Sequence, residues 1–234
     1  MTTDQSPIHF YDEGERLPDT LPDSPFGLFK AWYDQAWEER KTPNANSMCI
    51  ATAHADGCPD ARIVLCKAID VEAGSIMFYT NYHGKKGRQL EASPCAAAVI
   101  HWDFYERQVR IRGQVIKATE AESDAYFASR AIESRLGSWI SDQSQPIESR
   151  EALLEKVTDI IDQLGIDASD LMSGQDITIP RPPHWGGYHL HAHTIELWSA
   201  GTGRIHDRAR WSRDLTIKAN QSTTGPWSAT RLQP

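Results

Sequence analysis

Apolar residues along the chain follow a helical period in some segments and a strand period in others. Residues 1–22 follow neither period and are rich in Pro, Asp and Glu, so we expect an extended or mobile arm there. Helical spacing first appears in the apolar residues Phe29, Trp32, Tyr33 and Ala36. This spacing predicts an amphipathic helix, one face of which is covered by the rest of the protein.

From residue 47 onward, short β-rich runs separated by turn residues replace the helical spacing. The predicted strands are 47–53, 61–69, 76–80, 95–102, 108–115, 186–198, 204–211 and 227–232. Three further helices are predicted at 86–92, after the Thr119–Glu122 capping box, and at 147–164. Strands at this spacing predict a mainly β protein, an antiparallel barrel with helical excursions, and residues 23–234 are expected to form a single domain.

Composition and charge restrict the functional class. The 234 residues are 40% hydrophobic and carry a formal net charge of -8, which argues against a nucleic-acid partner. The sequence contains no run of 18 apolar residues and no signal-peptide core near its start, so we expect a cytoplasmic protein without membrane contact. The four cysteines form no CxxC pair and are interpreted as reduced, mostly packed thiols.

Basic residues concentrate in a few places despite the acidic total, which is typical of an anion site. The clusters are Arg62 with Lys67, Lys85 with Lys86, Arg107 to Arg112, and Arg204 with Arg208. In an extended segment Arg204, His206 and Arg208 share one face, where two guanidiniums and an imidazole can hold a phosphate and handle a proton. Solvated surface charges on a wet strand face explain the same pattern.

Other site types have less support. His189, His191 and His193 alternate along one predicted strand, but no Asp, Glu or Cys follows at a spacing that completes a metal site, so no metal is predicted. Dinucleotide, P-loop and nucleophile-elbow motifs are absent from the sequence. Composition therefore predicts a barrel with a basic, aromatic-containing pocket and does not name its ligand.

The motifs taken in order resemble the pyridoxine/pyridoxamine 5'-phosphate oxidase family, from about Pro25 to Pro234. The series comprises Arg62-Ile63-Val64-Leu65-Cys66-Lys67, Phe78-Tyr79-Thr80-Asn81, Gly84-Lys85-Lys86, Glu106-Arg107-Gln108-Val109, Tyr126-Phe127, Ser134, Gln143-Ser144, Trp185-Gly186-Gly187, and Ile195-Glu196-Leu197-Trp198 through Arg208.

This resemblance implies an antiparallel Greek-key split β-barrel that binds FMN and forms a homodimer, with FMN at the subunit interface. By motif match, the implied FMN-binding residues are Arg62, Ile63, Val64, Leu65, Cys66, Lys67, Tyr79, Thr80, Lys85, Lys86, Gln108, Gln143, Ser144, Trp198 and Arg208. Lys and Arg suit a phosphate through charge-assisted bonds, while Gln, Ser and backbone amides suit the heteroatoms of the flavin ring.

The resemblance also implies the reaction. Pyridoxamine or pyridoxine 5'-phosphate is oxidised to pyridoxal 5'-phosphate, with O2 as the acceptor and H2O2 released. Around the substrate phosphate we expect Lys67, Tyr126, Arg130 and Ser134, and over the substrate ring we expect Arg204 and His206. Arg204 or His206 is the candidate for handling the substrate proton.

Several positions depart from the family pattern and keep alternatives open. Lys85 stands where Arg is common, Leu197 and Ser199 flank Trp198 where other residues are usual, and Arg135 replaces a neutral Gln. We expect the last three to alter the pocket wall. They motivate a second hypothesis, a related FMN-dependent oxidase of a non-B6 aromatic substrate of the phenazine-biosynthesis type. A third hypothesis, from a different class of protein, is a non-catalytic flavin-binding module. The acidic arm, with Asp12-Glu13-Gly14-Glu15, does not favour a lid.

Overall fold

The structure, a computed structural model, describes residues 16–167 and 177–234. Most of the predicted arm therefore lies outside the described residues. Its last part, 16–22, lies on the fold: Leu17 is buried, and its N–H donates to Asp207 Oδ2 at 2.8 Å. Arg231 donates to Asp207 Oδ1 at 2.6 Å and to the carbonyl of Pro18 at 2.7 Å, so the same carboxylate holds both ends of the described chain.

The described chain contains five α-helices, four of which match predicted helices. They are α1 (Phe26–Glu39), α2 (Lys85–Ala92), α3 (Glu120–Ala128), α4 (Ile132–Ile140) and α5 (Arg150–Gln163). The predicted capping box is confirmed at α3, where Thr119 Oγ1 accepts from the N–H of Glu122 at 3.2 Å and Glu122 Oε2 accepts from that of Thr119 at 2.8 Å. The sequence did not predict α4.

The described residues contain eleven strands, nine of them in one sheet. They are β1 (Ser47–Ala53), β2 (Pro59–Leu65), β3 (Ala68–Asp70), β4 (Ser75–Asn81), β5 (Cys95–Trp102), β6 (Arg107–Lys117), β7 (Trp185–Ser199), β8 (Asp207–Ser212), β9 (Leu215–Lys218), β10 (Gln221–Thr224) and β11 (Ser228–Leu232). The main order is β11-β8-β7-β6-β5-β1-β2, β4 pairs with β3 and β7, and β9 and β10 form a separate hairpin.

The predicted run 61–69 is two strands because the chain changes partner at Cys66. Strand β2 pairs antiparallel with β1 as far as Leu65. The N–H of Cys66 then donates to the carbonyl of Asn46, and the N–H of Lys67 donates to the carbonyl of Met77 in β4, each at 2.8 Å. Two consecutive amides thus bond to different segments, the residue just before β1 and the strand β4, and the chain forms a corner there.

The described residues form two compact units, called unit 1 (16–78, 94–116 and 189–234) and unit 2 (79–93, 117–167 and 177–188). The core of unit 1 contains Phe26, Phe29 and Trp211, all fully buried. Arg107, 2% exposed, lies there 4.9 Å from the ring of Trp32. The core of unit 2 is built from Phe127, Leu136, Ile179 and Trp185.

Candidate functional site

In unit 2, the first turn of α2 carries a concentration of positive charge. Lys85 and Lys86 occupy its first two positions, no acidic residue lies in that turn, and the preceding Gly84 supplies no side-chain cap. Because a helix N-terminus already bears a partial positive charge, two lysines there are unfavourable unless an anion is bound. The hydroxyl of Ser144 accepts from the N–H of Lys85 at 3.3 Å.

Lys86 is the buried member of this pair, with 8% of its surface exposed. Its Nζ donates to Thr80 Oγ1 at 2.8 Å and to Gln143 Oε1 at 2.6 Å. A Cβ on Gly84 would lie only 2.6 Å from the same Gln143 oxygen, so any larger residue here would displace that side-chain oxygen. Unit 2 thus brings together predicted cofactor residues from β4, α2 and the loop after α4.

A stack of aromatic rings adjoins a half-buried arginine in unit 2. The rings of Tyr79 and Tyr126 are 3.9 Å apart at 19°, and that of Trp185 lies 5.3 Å from Tyr79 at 11°. The guanidinium carbon of Arg130 lies 4.6 Å from the Trp185 ring centre. Burial raises the pKa of Tyr79 to about 12, so its phenol stays neutral at physiological pH.

Two of the predicted phosphate-binding residues are placed by the junction of α3 and α4. Arg130 follows α3 and donates through Nη1 to Ser138 Oγ at 2.6 Å. Burial lowers the pKa of Arg130 below its ordinary value, though it remains charged. Ser134 lies exposed in the first turn of α4, and its carbonyl accepts from the Ser138 hydroxyl at 3.0 Å. Ser138 was missed by the sequence reasoning because α4 itself was not predicted.

In unit 1, Trp198 at the end of β7 contacts His206, with ring centres 4.8 Å apart. The N–H of Gly201 donates to His206 Nδ1 at 3.2 Å. Because Nδ1 accepts a hydrogen bond, the neutral ring carries its proton on Nε2, which is therefore a donor.

One prediction about this region is wrong. Arg204, His206 and Arg208 do not share the face of an extended strand, because β8 begins only at Asp207. Arg204 lies in a turn with a left-handed backbone, φ 67°. A Cβ on Gly201 would lie 2.0 Å from the carbonyl oxygen of Ile205, so the loop is too tight for an extended chain.

Arg208 is bound by a carboxylate that the sequence reasoning did not single out. Its Nε and Nη2 donate to Glu196 Oε1 at 3.1 and 2.8 Å, and its Nη1 donates to the carbonyl of Gln233 at 2.8 Å. Glu196 Oε2 accepts from Arg110 Nη1 at 3.3 Å. Alternation along the strand could have revealed Glu196, since it shares a face of β7 with Trp198.

The side chains of the predicted run 62–67 do not form a single surface, because they differ in exposure and in their partners. Arg62 donates to Thr52 Oγ1 at 2.6 Å and forms an ion pair with Asp60 at 2.8 Å. Ile63 and Leu65 point outward with 64% and 40% of their surfaces exposed. Val64 is half-buried and Lys67 exposed. Cys66 is fully buried, and burial raises the pKa of its thiol to about 12. Gln108, half-buried, lies on the same face of β6 as Arg110.

Three of the departures from the family pattern are buried side chains. Leu197 and Ser199, 0% and 3% exposed, alternate with Trp198 and therefore point to the opposite side of β7. Arg135 is 5% exposed and donates through Nη1 to the carbonyl of Ile177 at 3.0 Å. Each of these side chains packs within its own unit, and their effect on a pocket wall stays a prediction.

Comparison with known proteins places this mainly antiparallel fold in the class of flavin-binding split barrels. A solved structure of PhzG from Burkholderia lata 383, in complex with tetrahydrophenazine-1-carboxylic acid, is 30% identical with a TM-score of 0.76, covering 92% of this chain and 95% of that one. An FMN-binding protein related to pyridoxamine 5'-phosphate oxidase, from Nostoc punctiforme PCC 73102, shares the fold at 15% identity and a TM-score of 0.64, covering 90% of this chain and 98% of that one.

The family is shown by models and relatives that span nearly the whole chain. Residues 34–163 match a model described as pyridoxamine 5'-phosphate oxidase, and 185–234 match the pyridoxine 5'-phosphate oxidase C-terminal dimerisation region. The pyridoxine/pyridoxamine 5'-phosphate oxidase of Paracoccus denitrificans (strain Pd 1222) is 42% identical over 223 residues, covering 91% of this chain and 96% of its own. That of Hyphomonas neptunium is 44% identical over 225 residues, covering 95% and 92%.

The chain belongs to the pyridoxamine 5'-phosphate oxidase family. The predicted family, split-barrel fold, oxidoreductase class and FMN cofactor are thereby confirmed, and the predicted homodimer fits the matched dimerisation region. Within the described residues, every helix is too short or too polar to span a membrane.

Proposed function

We propose that this chain oxidises pyridoxamine 5'-phosphate or pyridoxine 5'-phosphate to pyridoxal 5'-phosphate, using FMN, with O2 as the acceptor and H2O2 as the second product. The observation that carries the proposal is 42–44% identity, over at least nine-tenths of the chain, to enzymes of that name. The expected compartment is the cytoplasm, and residues 23–234 are proposed to act as one domain.

The cations and N–H donors of unit 2 fit the phosphate group of FMN. A phosphate monoester needs fixed cations and N–H donors, and unit 2 offers both in the first turn of α2, with Lys86 buried and held by two oxygens. We assign to FMN the full predicted set: Arg62, Ile63, Val64, Leu65, Cys66, Lys67, Tyr79, Thr80, Lys85, Lys86, Gln108, Gln143, Ser144, Trp198 and Arg208. FMN, when bound, supplies the redox chemistry by accepting a hydride equivalent from the substrate carbon.

The protein's own residues bind and orient the substrate. Lys67, Tyr126, Arg130 and Ser134 are proposed to hold its phosphate, with Arg130 stiffened by its contacts to Trp185 and Ser138. Arg204 and His206 are proposed to contact its ring. Arg204 or His206 is proposed to handle the substrate proton. Because Nδ1 of His206 accepts from the N–H of Gly201, its Nε2–H is the ring atom that can donate a hydrogen bond to the substrate.

A homodimer with FMN at the subunit interface is part of the proposal. Its support is the matched dimerisation region together with an apolar edge: Ile63 and Leu65 are exposed on β2, which ends the main sheet path. Because an exposed apolar edge strand tends to pair with another chain, we expect a second copy of this protein to pack against β2.

The direct test uses purified protein saturated with FMN. Oxygen consumption and pyridoxal 5'-phosphate formation are measured with each of the two phosphorylated substrates. Turnover of either substrate is expected. Full flavin loading without turnover of either substrate would contradict the proposal. It would leave two hypotheses, an oxidase of a non-phosphorylated aromatic substrate and a flavin-binding module without catalysis.

A second candidate is oxidation of a non-phosphorylated aromatic substrate, favoured by the similarity to PhzG of Burkholderia lata 383. Ser134→Ala separates the two candidates cleanly because Ser134 is exposed and its replacement leaves the core intact. A phosphorylated substrate should lose affinity in this variant and in Arg130→Ala. An enzyme for a substrate without phosphate should keep its KM in both.

A further inference from the structure

Glu196 is a buried carboxylate held between arginines of the two neighbouring strands. Its side chain is 9% exposed. One oxygen accepts from Nε and Nη2 of Arg208 on β8, and the other accepts from Nη1 of Arg110 on β6. Because a buried charge is costly unless it is fully paired, this arrangement resists rotation of any of the three side chains.

Strand register shows that the pairing with Arg208 is specific. The residue directly opposite Glu196 is Arg210, and the residue opposite Arg208 is Trp198. Arg210 is exposed, and in the described chain it forms neither a hydrogen bond nor an ion pair with Glu196. The carboxylate instead binds the diagonal Arg208 through two of its nitrogens. Glu196 therefore sets the direction of the Arg208 guanidinium, and Arg208 is the residue that pairs with Trp198.

The bonds to Arg208 leave a defined set of donors. A guanidinium has five N–H groups. Two donate to Glu196, and a third donates to the carbonyl of Gln233 at 2.8 Å. One N–H on each terminal nitrogen remains, and both lie in a plane that the other three bonds fix.

We propose that Glu196 is a positioning residue for FMN: it acts through Arg208, holding the two remaining N–H groups toward the cofactor, and does not itself touch FMN. This inference rests on the proposed function, in which Arg208 binds FMN. Its expected effect on FMN affinity is the opposite of what charge alone would give. Glu196 lowers the net positive charge near Arg208, so if charge alone governed binding of the anionic cofactor, neutralising Glu196 would tighten it.

The test measures FMN dissociation constants on the apoprotein, from quenching of flavin fluorescence, for Glu196→Gln, Arg208→Gln and the double variant. Glu196→Gln should weaken FMN binding by about tenfold, the scale of one charge-assisted hydrogen bond. Arg208→Gln should weaken it at least as much. The double variant should bind as weakly as Arg208→Gln alone, because Glu196 has no effect once Arg208 is gone.

Two substitutions serve as matched controls. Arg210→Gln removes the same charge directly opposite Glu196 and should change the FMN affinity by less than about twofold. Arg110→Gln removes the other partner of the carboxylate but keeps the bonds to Arg208. It should therefore affect FMN far less than Glu196→Gln does.

A second variant loosens Arg208 without touching the buried carboxylate. A chain ending at Leu232 lacks the carbonyl of Gln233 and should also bind FMN more weakly. This variant keeps the inference testable should Glu196→Gln lower the thermal unfolding midpoint of the apoprotein.

The results separate this inference from the proposed function. Unchanged or tighter FMN binding in Glu196→Gln would overturn the role of Glu196, as would additive effects in the double variant. Unchanged FMN binding in the shortened chain would also overturn it, because the direction of the Arg208 guanidinium would then not govern the affinity. Unchanged binding in Arg208→Gln would instead remove Arg208 from the cofactor set of the proposed function.

Discussion

Lys86→Met removes the buried cation of α2 and replaces its side chain by an unbranched apolar one that is a single atom shorter. In the native structure Nζ is fixed by Thr80 Oγ1 at 2.8 Å and Gln143 Oε1 at 2.6 Å. A fixed ammonium in the first turn of a helix is preorganised for a phosphate, so its loss should appear mainly in FMN affinity.

The expected magnitude follows from these contacts. A hydrogen bond to a charged group contributes about 1.5–3 kcal/mol. Losing it should therefore raise the dissociation constant for FMN roughly 10- to 150-fold. The apoprotein should change by less than about 1 kcal/mol in free energy of unfolding. Thr80 Oγ1 already donates to Gln143 Oε1 at 3.3 Å, so this oxygen keeps a donor when Nζ is gone.

Flavin fluorescence titration gives the affinity, and thermal unfolding of the apoprotein gives the stability. Arg88→Met is the matched control, since Arg88 is an exposed cation on the same helix and lies outside the predicted cofactor set. The affinity of Lys86→Met should also depend less on salt than that of the native protein. A dissociation constant within about threefold of the native value would refute the assignment of Lys86 to the phosphate.

Three further outcomes are expected. Gly84→Ala should displace Gln143, whose Oε1 would lie 2.6 Å from the new Cβ, so FMN titration should show weaker binding. A thiol reagent at neutral pH should label exposed Cys58 in the native protein but Cys66 only after unfolding, as peptide masses would report, because burial raises the pKa of Cys66 to about 12. Burial lowers the pKa of His191, so the stability it contributes is present above the unfolded value of about 6.5 and lost as pH falls below it. Thermal midpoints at about pH 7.5 and 5.5 should therefore fall less in His191→Gln, and an equal fall would count against this account.

Sequence patterns predicted those elements whose signal is local. Strand β5 was predicted with its observed bounds, because its apolar run ends at a proline on one side and a turn on the other. The capping box of α3 was confirmed because its two partners lie three residues apart. The β9–β10 hairpin was missed, since its turn is built from Ala219 and Asn220, both left-handed, without the glycine that usually marks such a turn.

The residues of the candidate site likewise differ in how far local sequence patterns could predict them. Motif matching selected Lys86 and Gln143 together, although 57 positions separate them and no local pattern links them. Periodicity wrongly extended β8 back to residue 204, because alternation of polar residues does not reveal a left-handed backbone. Glu196 was passed over since its significance depends on which of two arginines on β8 it binds, and that choice is made by tertiary geometry.

The shared carboxylate of Asp207 has a topological consequence. It accepts from the N–H of Leu17 and from Arg231 on the last strand, so the beginning and end of the described chain lie side by side. A circular permutant in which a short linker joins Pro234 to residue 16, with new ends opened in the turn at 219–220, should therefore keep every strand pair of the main sheet. In such a chain the last strand, β11, is joined by the linker to residues 16–22, where the carbonyl of Pro18 already accepts from Arg231.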